Sequence, residues 1–213
     1  MMPPAIRAMH NGANRGMTVK RTSRTAIALG ASLLLAGCIS FGGKVPDQMI
    51  SLTPDRTAPT GATATGKISD ALVVLDPETS RRLDVQRVPV QIDDSSVAYL
   101  KDAMWVERPA RQFRRLLAET IRAKGNRLVV EGDDSEIAAR TSLGGRLLEM
   151  GYDAPSQSVV VRFDAMREAA DGTISTRRFE AIVPGIAAEA APVGRALNEA
   201  ANDVAGQVAD WVG

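Results

Sequence analysis

An apolar run over residues 26–36, preceded by Lys20, Arg21 and Arg24 and ending at Gly37-Cys38, decides which part of this 213-residue chain is available to fold. The run is too short to span a bilayer, which takes about 20 apolar residues. Basic, then apolar, then small residues is instead the order of a secretory signal, removed from the exported protein. Residues 1–16, with Pro3, Pro4, Asn11, Gly12 and Asn14, show no apolar periodicity and suit neither a signal nor a folded element. Met17 is therefore the expected start, 1–16 a mis-assigned extension, and 17–37 the signal peptide.

The run ends in Leu35-Ala36-Gly37-Cys38, which resembles the lipobox of bacterial lipoproteins: a branched aliphatic residue, two small residues that fit a protease cleft, and a cysteine to be acylated. Cys38 is the only cysteine, so it has no partner for an intramolecular disulfide. The blander reading is a small apolar residue closing a signal helix. Acylation at Cys38, by palmitate and related chains, is the expectation. A single acyl chain binds membranes marginally, at about 0.8 kcal/mol per buried methylene, so durable anchoring takes more than one. Ile39 stands where, by analogy with well-studied enterobacteria, an Asp would retain a lipoprotein at the inner membrane. The expected location is the outer membrane, facing the periplasm.

Processing at Cys38 changes the charge balance. Five basic residues and no acidic ones lie in 1–37, which leaves 21 basic against 25 acidic and a formal charge of −4. A mildly acidic domain argues against nucleic acid, which is gripped by surplus Lys and Arg. The single histidine, His10, lies before the cut. The mature chain thus has no imidazole and, with Cys38 acylated, no thiol. Ser-His-Asp and Cys-His catalysis and the usual nitrogen and sulfur metal ligands are excluded, and no cofactor is expected. Carboxylate chemistry remains open, at Asp93-Asp94 or Asp133-Asp134, as does a Ser-Lys pair using one of the four mature lysines. Both carboxylate pairs precede a serine where a strand pattern stops, which fits turn capping better than a site.

Along the chain, residues 38–69 carry Pro46, Pro54, Pro59 and a Thr/Gly/Ala run, and read as a flexible tether. Met49 to Thr53 could add one short strand. Residues 70–213 read as one domain. Strands are expected over 71–75 and 85–92, the second an edge or bulged strand because Pro89 donates no ladder hydrogen bond. Residues 97–100 and 104–106 look like a hairpin. Pro109 opens a helix that Gly125 closes, with Phe113, Leu116, Leu117, Thr120 and Ile121 on its apolar face. Arg108, Arg111, Arg115 and Arg122 fall in one sector opposite. Four further strands are expected over 127–131, 145–152, 158–166 and 176–183, the last two joined by an Asp171-Gly172 turn. Val193, Leu197, Ala200, Val204, Val208 and Trp211 mark a long C-terminal helix within 188–212. The expected class is α+β: a mainly antiparallel sheet with two principal amphipathic helices packed on one face.

Several segments together resemble the ABC-type transport auxiliary lipoprotein family, to which PqiC-type lipoproteins belong. They are the lipobox, the strand Ala71-Leu72-Val73-Val74-Leu75, Met104-Trp105 leading through Glu107 and Pro109 into Phe113-Arg114-Arg115-Leu116-Leu117, and Ala196-Leu197-Asn198-Glu199-Ala200 running to Trp211-Val212. The resemblance implies a noncatalytic docking role beside a transporter built from an ATPase, a permease and an MCE-domain lipid carrier. It implies as partners a bilayer, through Cys38, and an MCE-domain protein; assembly into a homo-oligomer is also open.

The arginine stripe could contact phospholipid headgroups or an acidic surface of a partner, because guanidinium binds phosphate bidentately. A solvated, internally paired helix face is the competing reading, with Glu119 close to Arg115. Trp105 and Trp211 could serve a partner or an acyl chain, although each falls on the apolar phase of its element. Two other classes stay open: an enzyme acting on envelope glycan through paired carboxylates, and a structural lipoprotein that recruits another complex.

Overall fold

A computed structural model describes residues 48–125, 127–132 and 139–213. Cys38, the signal, and Asp133-Asp134 lie outside the described residues. A 3-10 turn, Ile68–Asp70, leads into β1 (Leu72–Val74), β2 (Glu78–Thr79), β3 (Arg87–Gln91) and β4 (Val97–Met104). Then follow helix α1 (Pro109–Ala123), β5 (Val129–Glu131), β6 (Thr141–Asp153), β7 (Ser158–Glu168), β8 (Ile174–Pro184) and helix α2 (Ala190–Val212). The eight strands form one mixed, open sheet, mainly antiparallel, and the class is α+β.

Strand β6 organises the sheet. One side pairs antiparallel with β7 throughout, while the other takes β1, β2 and β3 in turn, all parallel. Such close neighbours need small residues at the crossings. A Cβ at Gly145, whose φ is +135°, would lie 2.0 Å from the carbonyl oxygen of Asp164, and one at Gly151 would lie 2.5 Å from that of Pro89.

The alternation of β7 and β8 sets two faces. Leu147, Phe163 and Phe179 stand in one cross-strand row on the inner face, and all three are buried. Phe113 of α1 meets Phe163 edge-on at 5.2 Å between centroids, and Trp211 of α2 tilts over Phe179 at 5.7 Å. Both helices therefore cover the same face. Phe113, Leu116, Leu117, Thr120 and Ile121 are buried as the α1 periodicity requires, as are Val193, Leu197, Ala200, Val204 and Val208 of α2. The outer face carries rows of alternating charge: Glu78–Arg146–Asp164–Arg178 and Glu149–Arg162–Glu180.

Three local expectations are corrected or narrowed by the structure. Residues 97–100 and 104–106 are not two arms of a hairpin; β4 runs from Val97 to Met104, joining the first to the start of the second, and pairs with β3. Arg87 lies opposite Met104 and Pro89 opposite Tyr99, so Leu100 to Ala103 swell into a bulge, with Asp102 in the left-handed region at φ 54°. The polar break at Lys101-Asp102 is that bulge and not a turn. Second, of the two alternatives for β3 the bulged strand holds and the edge does not: β3 is interior, between β4 and β6, and Pro89 is accommodated at the bulge where the ladder is interrupted. Third, the expected strand over 49–53 reduces to one parallel bridge between Ile50 and Trp105, with Ile50 N–H donating to Met104 O at 2.7 Å.

Two predictions follow from these contacts. Gly145→Ala forces backbone to move and should destabilise the fold by about 2 kcal/mol or more, while Gly206→Ala, in open space on α2, should stabilise it by up to about 1 kcal/mol, both read by urea denaturation. On the outer face, hydrogen bonds from Arg178 at 2.6 and 2.7 Å hold the Asp164 carboxyl below its ordinary 3.8. A depressed folded value means the stabilisation is complete above the ordinary value and is lost as pH falls through the folded one. Denaturation midpoints should accordingly be insensitive to this pair from pH 7 to about 5 and fall more steeply with acid below about 4 than in Asp164→Asn.

Candidate functional site

The stretch read as a tether contains a segment fastened across both helices. Leu52 N–H donates to Oε1 of Gln112 on α1 at 2.9 Å, and Gln112 Nε2 donates onward to Glu107 O at 2.8 Å. Thr53 N–H donates to Asn198 Oδ1 at 2.7 Å and Asp55 N–H to Asn202 Oδ1 at 2.8 Å, both on α2. Asn202 returns a bond from Nδ2 to Thr53 O at 2.9 Å, and Ala58 N–H donates to Glu119 Oε1 at 2.8 Å. Backbone outside the sheet thus has its donors met by helix side chains, which the half-buried amides of Leu52 and Ala58 require and which fastens the exposed ones of Thr53 and Asp55 as well. Gln112, though polar, is 4% exposed, which suits a residue whose two ends are both occupied.

Between this strap and α1 lies an open groove of ≈ 790 Å³. Its walls combine apolar Leu52, Val106 and Leu116 with Glu107, Glu119 and Glu131 and the guanidiniums of Arg115 and Arg122. The charges answer one another. Arg115 pairs with Glu107, and Arg122 lies 2.6 Å from Glu119 and 3.3 Å from Glu131. The rest of the stripe is likewise paired: Arg108 with Asp84 at 3.0 Å, and Arg111 with Glu107 at 3.7 Å and Asp76 at 3.8 Å. The four differ in access. Side chains of Arg108, Arg111 and Arg115 are 54–61% exposed, Arg122 33%. Pairs this exposed contribute about 0–1 kcal/mol each, so their effect is to orient the guanidiniums and keep the face near neutral.

The carboxylate pairs fare differently. Asp93 sits in the turn between β3 and β4, where its Oδ1 accepts from Ser95 N–H at 2.8 Å and Ser95 Oγ–H at 2.9 Å. Those bonds hold its carboxyl below the ordinary range. A carboxylate stabilised as the anion by its own turn is poorly suited to act as a general acid. Among the described residues no group of three or more His, Cys, Asp or Glu stands where a metal ion could be held, and no helix is long and apolar enough to cross a membrane. Trp105 is wholly buried in the core, and Trp211 is half-buried against Phe179. Sequence reasoning missed Gln112, Asn198 and Asn202. The signal that could have found them is a glutamine beside Phe113 on a helix's apolar side and two asparagines one helical turn apart.

Comparison with known proteins places this architecture. A crystal structure of a protein from Xanthomonas campestris superposes with a TM-score of 0.65 at 17% identity, covering 78% of this chain and 94% of that one. A second crystal structure, of an uncharacterised protein, gives 0.59 at 12% identity over 78% of this chain and all of that one. At these identities the likeness is one of fold. No curated protein matches the chain. A family model does, across residues 51–209, from the strap to the last turns of α2: this chain belongs to the family of ABC-type transport auxiliary lipoprotein components.

Proposed function

We propose that the chain is held by acyl chains on Cys38 at the periplasmic face of the outer membrane, and serves there as a noncatalytic docking component of an ABC transport system that moves lipid through an MCE-domain partner. The family match beginning at residue 51, with a lipobox-like sequence shortly upstream, is the observation that carries this reading. The site supports it as well. Its charged groups are engaged with one another and its volume is an open groove, an arrangement suited to binding a surface and not to proton transfer. The exposed face of Arg108, Arg111 and Arg115 is the contact for an acidic partner surface or headgroups. Arg122, less exposed and paired twice, holds the groove wall.

Anchoring is tested by feeding cells an alkyne palmitate. The mature chain should take up label and sediment with membranes, and Cys38→Ser should lose the label and leave the membrane fraction. A labelled Cys38→Ser chain would sink the anchor.

Docking is tested by purifying the full chain from membranes and identifying what accompanies it by mass. A permease, an ATPase and an MCE-domain protein are expected. Joint substitution of Arg108, Arg111 and Arg115 by Glu should lower their recovery at least about tenfold, since reversing an interfacial charge repels the partner. Undiminished recovery, with the variant still at wild-type levels in the membrane, would remove the arginine face from the contact.

A further inference from the structure

Strand β8 is a free edge of the sheet: among the described strands it pairs with β7 alone. Its backbone phase follows from the hairpin. Ala169 N–H donates to Thr173 O at 2.9 Å, and counting outward from that hydrogen-bonded pair, the odd residues of β8 bond to β7 while the even ones direct N–H and C=O away from it. Gln207 Nε2, reaching Glu180 O at 3.3 Å, marks the same free side. An eleven-residue edge of this kind invites another strand unless its side chains forbid one.

Here the only residue on the outward phase that cannot donate is Pro184, at the last position of the strand, and the rest of the edge stays open. The even residues, which face outward from the core, read Ile174, Thr176, Arg178, Glu180, Ile182, Pro184. An edge defended by like charges would repel a second copy. This one places opposite charges on either side of Phe179. The two charge rows of the outer face also end at β8 with opposite signs, Glu78–Arg146–Asp164–Arg178 in a cation and Glu149–Arg162–Glu180 in an anion.

We propose that the β8 edge pairs with the β8 edge of a second copy of this chain, antiparallel about a two-fold axis at Phe179, so that Arg178 of each copy lies opposite Glu180 of the other. Each even residue then meets an even residue, the phase that lets donors and acceptors bond, except at the outermost pair, where Pro184 opposite Ile174 has no N–H to give. The first charge row of one copy runs into the second row of the other with its signs alternating unbroken. Thr176 stands opposite Ile182, a β-branched pair, with Ile182 52% exposed in the single chain. A second strand displaces the long Gln207 bond. The pairing is isologous and closes on itself, and it stands independently of the docking role proposed above.

The test is disulfide trapping of the full chain in membranes under mild oxidation. Thr176→Cys together with Ile182→Cys should give a covalent dimer. Either substitution alone should not, because six residues separate Thr176 from its symmetry mate's position, roughly 20 Å along a strand. The unsubstituted chain controls for Cys38. Adding Arg178→Glu or Glu180→Arg turns two attractions into repulsions and should cut the dimer at least about tenfold, and adding both should restore it. A variant that disappears from the membrane leaves the other reversal and the exchange to decide. No dimer from the double-cysteine chain, equal product from the single ones, indifference to charge reversal, or a product containing a different protein would each overturn the pairing.

Discussion

The sheet depends on one strand keeping two different kinds of neighbour. β6 lies antiparallel to β7 along one side and offers the other to three short parallel strands, so its register is dictated from both directions. A one-residue slip would carry its whole apolar set to the wrong face. The register does shift once, between Leu147 and Glu149, and this lets Leu147 and Met150, three apart, both lie buried. Arg82 stands at the irregularity, donating from Nη2 to the carbonyl of Leu148 at 3.1 Å. The bulge thus has its own hydrogen-bond partner, and it falls directly after Leu147, the β6 member of the row that continues through Phe163 and Phe179.

Much of this was legible in the sequence because it is local or periodic. The apolar stripes of both helices, Pro109 at a helix start and the β7–β8 hairpin emerge from spacing alone. In that hairpin Gly172 takes φ +83° and Asp171 Oδ1 accepts Thr173 N–H at 2.9 Å. The bulge in β4 was not legible, since a polar interruption between two apolar runs looks the same whether the chain turns or swells. Nor was the strap. Its prolines and small residues carry the composition of a linker, and what fixes residues 52–58 is the set of amides and the carboxylate of Gln112, Asn198, Asn202 and Glu119, distant in sequence.

The candidate site divides along the same line. Glu119–Arg122 and Glu107–Arg111 sit at helical spacings of three and four and could be read from the chain. Asp84, Asp76 and Glu131 reach the arginines only through the fold. A stripe that looks purely cationic on a helical projection is, in three dimensions, one half of a mixed-charge surface. In the docking role proposed above, such a surface would recognise by pattern more than by net attraction.

The strap also bears on how load enters the molecule. Among the described residues, a pull arriving from the N-terminal side first meets Ile50, whose bridge to Trp105 joins it to the strand entering α1 and whose side chain lies over Gly194 of α2. From there tension is shared among bonds to two helices and not concentrated on one end of a single strand. A domain tugged through that segment would be loaded across its helical layer and, through α2, whose Trp211 lies on Phe179, onto the β7–β8 hairpin.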